Sequence, residues 1–360
     1  MITTYLTSWR GIVIGGREYL EGEIAEAHRD PSAEFARELG EWDGFHYTER
    51  TPDGAWLVLV REPSPPTERW WLHSVLLILT ILTTTLAGAA LVGPPDILLR
   101  VPSPATLLSG LPFSLPLMGI LCGHETGHYL MARRYRVNAS PPYLIPFPPH
   151  FNLVGTMGAF IRLRAPVFDR RTLFDIGVAG PLAGMVIAIP VLVAGLAMSD
   201  VVPGATGLPL AHQFVNFDGT RVMVGDSLLL VGLRALAAPD GVLRLHPAAF
   251  AGWVGLLVTM LNLMPLAQLD GGHIAYALVG RGQLWVARAF WGVLLALGFL
   301  WGQWWLWAAL ALLLGRGRLG HPPVVSPRRA LTPGRRLTAL AAALLFALSF
   351  MPVPLPTVTP

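Results

Sequence analysis

The chain predicts a polytopic α-helical membrane protein of about seven spans, with a re-entrant, β-hairpin-like segment and a small N-terminal soluble α+β domain. Three observations predict it. First, 53% of the residues are hydrophobic and only 13% are charged, and mean hydropathy is +0.54, a balance that soluble domains seldom show. Second, residues 72–93 contain no formally charged side chain and are long enough to cross a hydrocarbon core of ~30 Å at ~1.5 Å per residue. Third, residues 1–69 carry 13 acidic and 7 basic side chains (net −6), whereas residues 70–360 carry 9 acidic and 19 basic (net +10). An acidic soluble head therefore precedes a hydrophobic, basic body.

In the head (1–69), apolar runs at 11–14 and 55–60 flank a charged, helix-like stretch at 32–39, where Ser32 is placed to cap. Residues 62–68 (EPSPPTE) read as a stiff linker, and Trp70-Trp71 as an aromatic anchor at the membrane interface. The first apolar stretch long enough to span, at 72–93, starts too late in the chain for a cleavable signal peptide. Every basic residue is Arg and none is Lys, a compositional bias that gives no reason to expect a nucleic-acid partner. The single Cys122 excludes an intrachain disulfide and a cysteine-rich zinc site.

In the body (70–360), candidate spans fall at about 72–93, 111–132, 172–198, 248–267, 284–301, 303–315 and 337–352. Gly302 and Gln303 leave open whether 284–315 is one tilted span or two. Threading seven spans from a cytoplasmic head puts the Arg clusters at 133–136, 162–171, 281–288, 316–318 and 328–336 on the side of the head, as the positive-inside rule requires. Residues 141–163 differ from the rest. Pro141, Pro142, Pro146, Pro148 and Pro149 forbid a regular helix. The Gly- and β-branched stretch that follows suggests a hairpin or re-entrant loop, tolerable at membrane depth only beside protein or a water-filled cavity.

The chemistry centres on HETGH at 124–128. In His-x-x-x-His on a helix, both imidazoles share one face, so His124 and His128 can bind one ion while Glu125 reaches a metal-bound water. Ionisable groups in an apolar helix are costly and read as functional. A catalytic zinc needs a third protein ligand. Of the acids beyond the head, Asp96, Glu125, Asp169, Asp175, Asp200, Asp218, Asp226, Asp240 and Asp270, only Asp175 and Asp270 fall close to apolar spans apart from Glu125 itself. Asp270 is preferred because Pro265, Gly271 and Gly272 interrupt its helix and expose backbone near a cavity. Asp175 suits a helix N-terminus instead. His273 remains open between ligand, oxyanion stabiliser and hydrogen-bonding neighbour.

These residues resemble the site-2 protease family of intramembrane zinc metalloproteases. HETGH, GPLAG at 180–184 and NLMPLAQLDGGH at 262–273 recur in that order, and the sequence around them is similar to the PDZ-less, plastid and cyanobacterial EGY-type branch. The resemblance covers about residues 111–281 and implies a core there. It implies His124, His128 and Asp270 as ligands of one Zn2+ and Glu125 as the catalytic acid/base. It further implies that Asn262 and Pro265 position substrate and that 143–161, with Gly155 and Gly158, forms a hairpin whose edge pairs with an unwound substrate. GPLAG is expected to permit close helix packing.

The activity expected from this resemblance is peptide hydrolysis in or near the transmembrane segment of a membrane-protein substrate, such as an anti-sigma factor or other single-span regulator. The expected location is a bacterial cytoplasmic membrane with a cytoplasmic head. The rival readings are a zinc transporter or sensor and a catalytically silent helix-binding protein. Neither needs a general base at Glu125.

Overall fold

Period-2 alternation and a capped helix build the first of two units into which the chain divides, Met1–Glu68 with Leu163–Pro166 and Arg69–Arg162 with Val167–Pro360. The computed structural model describes residues 2–14, 17–28, 32–51, 54–61, 67–164, 167–208, 211–237, 241–324 and 330–356. In the first unit β1 (Leu6–Ile14), β2 (Arg17–Ile24), β3 (Phe45–Thr51) and β4 (Gly54–Arg61) form an antiparallel sheet in the order β1-β2-β4-β3, with α1 (Ala33–Gly40) between β2 and β3 in sequence. Ser32 caps α1, its Oγ accepting the Phe35 amide at 3.2 Å. Ala55, Leu57 and Leu59, alternate residues of β4, form one core with Phe35 and Leu39 of α1. The expected linker at 62–68 has its residues 62–66 outside the described residues, while Glu68 pairs with Arg164 at 2.5 Å.

The second unit holds the remaining elements. In chain order they are α2 (Trp70–Val92), α3 (Pro104–Leu108), α4 (Leu111–Arg134), β5 (Tyr143–Pro146), β6 (Thr156–Phe160), α5 (Arg170–Ala197), β7 (Asp200–Val201), β8 (Gln213–Phe217), β9 (Thr220–Val224), α6 (Leu228–Ala237) and β10 (Leu243–Arg244). They continue with α7 (Pro247–Asn262), α8 (Asp270–Val279), α9 (Gln283–Leu297), α10 (Gln303–Leu314) and α11 (Pro333–Ser349). Helices α2 and α5 are long and apolar enough to cross a membrane. On α2, Val75, Ile78 and Leu82 form an exposed apolar stripe, and Trp70 and Trp71 lie exposed at its start.

Two of the other apolar runs are interrupted. The run at 248–267 stops being helical at Asn262, because Pro265 has no amide to give the Leu261 carbonyl. The run at 284–315 is two helices, α9 and α10, separated at 298–302 and tied by Trp291 Nε1 donating to the Ala308 carbonyl. At 15 and 12 residues, each falls short of the ~20 that a single crossing takes. Residues 200–244 add a four-stranded sheet, β7-β10-β8-β9.

Helix α5 lies at the centre, packed by α4, α7 and α8. Small residues set the closeness of α4 and α5: a methyl added to Gly127 would lie 2.5 Å from the Ala179 carbonyl oxygen and 2.9 Å from the Ala183 side chain. Strands β5 and β6 form an antiparallel hairpin, Leu144 opposite Ala159. The hairpin is fixed to α2, where His73 Nδ1 donates to the Pro142 carbonyl at 3.1 Å and its ring stacks on Tyr143 at 4.1 Å. Gly155, at φ +78°, enters the hairpin against the backbone of Thr83 and Thr84, where a methyl would meet Thr84 Cα at 2.9 Å.

Candidate metal centre

Helix geometry brings the first two donors together. His124 and His128, one turn apart on α4, are both buried, and their Nε2 atoms stand 3.1 Å apart. The third donor comes from 142 residues further on. The helix break after α7 lets α8 begin at Asp270, whose carboxylate occupies the first turn of that helix, where negative charge is favoured. Gly271 and Gly272 press onto the preceding turn, a methyl at Gly271 falling 2.6 Å from the Met264 carbonyl oxygen. Asp270 Oδ2 thereby lies 3.2 Å from His124 Nε2 and 3.3 Å from His128 Nε2.

The tautomer of His128 decides what this triangle is. Its Nδ1 lies 2.7 Å from the Ile176 carbonyl oxygen, which can only accept, so Nδ1 carries a proton and the neutral ring presents its lone pair at Nε2. Beside it, Asp270 Oδ2 is buried with no hydrogen-bond partner. Two imidazole nitrogens and an unpartnered carboxylate oxygen drawn this close together suit a cation. Tetrahedral bonds of about 2.0–2.1 Å would set the corners about 3.3–3.4 Å apart, close to the three observed edges. Among the described residues these three form the one such group.

Helix α5 supplies the wall behind the imidazoles. A methyl at Gly180 would fall 2.5 Å from His128 Cε1 and closer still to Nε2, and one at Gly184 would fall 3.2 Å from His124 Cβ. GPLAG thus packs helices closely, as expected, and does so directly against both candidate ligands. Pro181 leaves the Gly177 carbonyl without its helical amide, loosening the turn from which the Ile176 carbonyl reaches His128.

Glu125 follows His124 on α4, is buried, and makes no ion pair among the described residues. The Ile161 amide, just past β6, approaches its carboxylate, so the hairpin ends beside it. Asn262 closes α7 with its Nδ2 3.4 Å from His124 Nε2. Pro265 sits in the turn after α7, its carbonyl accepting from Gln283 Nε2 at 3.1 Å. Gly158 has φ +97° and open space beside it, whereas Gly155 is committed to packing on α2. Cys122 is free and half-buried.

Asp175, the rival third ligand, has another occupation. Arg335 of α11 grips it through Nη2 at 2.7 Å and Nε at 2.9 Å, and the Tyr135 hydroxyl donates to it. This ion pair, and not a bare helix N-terminus, accounts for the half-buried acid. His273 lies outside the donor triangle. Its Nδ1 is 2.8 Å from Nε2 of His321, whose Nδ1 in turn donates to the Pro322 carbonyl. Sequence reasoning missed His321 and the Ile176 carbonyl. A histidine before two prolines has no diagnostic spacing, and a backbone acceptor has no side-chain signature.

The order HETGH, GPLAG and NLMPLAQLDGGH meets its independent check in a family comparison, where the model of peptidase family M50 matches residues 112–300. The chain belongs to peptidase family M50. This is the site-2 protease family that the motifs resemble, and M50 proteins are embedded in membranes. The chain is 32% identical over 260 residues to "Probable zinc metalloprotease EGY1, chloroplastic" of Oryza sativa subsp. japonica, covering 72% of this chain and 43% of that protein. It is 34% identical over 194 residues to the protein of the same name in Arabidopsis thaliana, covering 54% and 33%. To "Probable zinc metalloprotease EGY2, chloroplastic" of Arabidopsis thaliana it is 31% identical over 175 residues, covering 49% and 30%. The chain thus spans less than half the length of these curated M50 relatives. No solved structure matches it.

Proposed function

We propose that this M50 chain is an intramembrane zinc metalloprotease that hydrolyses peptide bonds in or near the transmembrane segment of membrane-protein substrates. The observation that carries the reading is the close triangle of His124 Nε2, His128 Nε2 and Asp270 Oδ2 with the buried Glu125 beside it. These three residues hold one Zn2+, which when bound lowers the pKa of its water toward ~7 and polarises the scissile carbonyl. The zinc in the relatives' names supports this assignment.

Glu125 accepts the proton of the attacking water and returns it to the leaving amine. The Ile176 carbonyl keeps the His128 proton on Nδ1 and so keeps Nε2 available. A helical substrate hides its carbonyls in i to i+4 bonds, so cleavage requires unwinding, and pairing with a sheet edge compensates the freed groups. The edge of β6 away from β5 serves this purpose, with Gly158 giving close backbone approach and Gly155 fixing the hairpin. Asn262 and Pro265 position the substrate at the end of α7.

The head at 1–69 is read as a soluble domain and 70–360 as the membrane domain, with about seven crossings and the core at about 111–281. Two helices of spanning length and the extent of the family match support this architecture. The substrate class is a single-span membrane protein, an anti-sigma factor being one example. The relatives' names place them in chloroplasts, which favours a plastid membrane and gives no support to a bacterial cytoplasmic one.

The test is cleavage of a single-span test protein by the purified full chain, alongside Glu125→Gln and a chelated sample. Zinc-dependent cleavage that Glu125→Gln abolishes is the expected result. Full cleavage by Glu125→Gln sinks the assignment of the base, and stoichiometric zinc with no cleavage of any helix moves the chain to a non-proteolytic role.

A further inference from the structure

A second site shares no residue with the metal centre. A cavity of about 960 Å³ opens between the turn joining α8 to α9 and the segment after α10. Arg281, Arg288, Arg316 and Arg318 line it, and no carboxylate does among the described residues. Ion pairs among the described residues engage Arg10, Arg61, Arg164, Arg244 and Arg335, and none of these four. Arg288 is held over the Trp285 ring at 4.9 Å.

Four guanidinium groups around one cavity repel each other unless an anion lies among them. Their planar forks suit the oxygens of a phosphate. The volume is larger than one phosphate group needs and admits a headgroup with its glycerol backbone. The surroundings point the same way. Leu284 and Leu312 line the cavity, and Trp285, Leu313 and Leu314 nearby are exposed apolar side chains on α9 and α10. A polar, cationic cavity thus adjoins a surface suited to acyl chains.

We propose that this cavity binds a phosphate ester anion, supplied as the headgroup of an anionic phospholipid. Such a ligand explains why cations from two separate segments line one cavity with no carboxylate paired to them among the described residues. It also bridges the α8–α9 turn to the segment after α10.

The test is calorimetric titration of the purified, delipidated full chain in neutral detergent with dihexanoyl phosphatidylglycerol, dihexanoyl phosphatidylcholine and inorganic phosphate. Phosphatidylglycerol is expected to saturate one site and phosphatidylcholine to bind at least ten-fold more weakly. Arg316→Gln with Arg318→Gln should weaken phosphatidylglycerol about 25-fold, at about five-fold per arginine. A second pair, Arg281→Gln with Arg288→Gln, should do likewise, while Arg134→Gln with Arg136→Gln, away from the cavity, should not. Inorganic phosphate binding as tightly as phosphatidylglycerol keeps the phosphate site and overturns the lipid source. Equal affinity for both lipids, no measurable binding, or wild-type affinity in both cavity pairs overturns the site.

Discussion

Gly180→Ala is the sharpest test of the metal centre because it adds one methyl group and removes no donor. That methyl would lie 2.5 Å from His128 Cε1 and closer to Nε2, whereas carbon atoms normally pack at about 3.5 Å or more. The imidazole must then retreat by about 1 Å. Metal–ligand bonds tolerate about 0.2 Å, and the retreat also strains the 2.7 Å bond from Nδ1 to the Ile176 carbonyl. The expected outcome is loss of one ligand and a fall in zinc affinity of at least about 100-fold, the upper end of what disturbed outer partners cause. Zinc content by mass spectrometry and affinity by chelator competition measure it, with thermal melting of the metal-free chain to check folding. Gly184→Ala is the internal comparison, since its methyl meets His124 at 3.2–3.6 Å and asks only a few tenths of an ångström. A folded Gly180→Ala that binds zinc like wild type, or equal losses at both glycines, would refute the reasoning.

Glu125→Gln should retain one zinc per chain while cleavage of a single-span substrate falls by about 10²–10⁴-fold, read by gel assay beside zinc analysis. Gly155→Ala should retain zinc yet lose at least ten-fold in kcat/KM, because φ +78° and the close Thr84 backbone displace the hairpin at a cost of about 1–2 kcal/mol; unchanged kcat/KM would free the hairpin from any part in substrate binding. Asp175→Asn should lower stability by about 1–3 kcal/mol through the lost Arg335 pair, seen as a reduced melting temperature with zinc content unaltered. Loss of zinc there would return Asp175 to the ligand set.

How much the sequence reveals depends on how local the physics is. His124 and His128 are legible because an i, i+4 pair needs only a helix, and Ser32 is legible as a cap for the same reason. Asp270 was reachable because Pro265 and two glycines mark a break in an apolar run, although the meeting of α8 with α4 is a tertiary event. Hydropathy misjudged 248–267, since it registers apolar side chains and not the missing amide of Pro265. It could not divide 284–315 either, where the turn at 298–302 is as apolar as its flanks. Asp175 was given a helix-dipole role because its partner, Arg335, lies 160 residues away. The contact between Gly180 and His128 was invisible for a related reason: a glycine's spacing shows that something comes close, and not what.

The short edges of the donor triangle also bear on which ions the centre admits. Ca2+ takes six to eight oxygens at about 2.3–2.6 Å, and two imidazoles backed by Gly180 and Gly184 leave neither the ligands nor the room for that shell. Co2+ accepts tetrahedral nitrogen and oxygen donors as zinc does. Cobalt substitution should therefore turn a colourless protein into one with visible d–d absorption, making the shape of the site readable by spectrophotometry while it works.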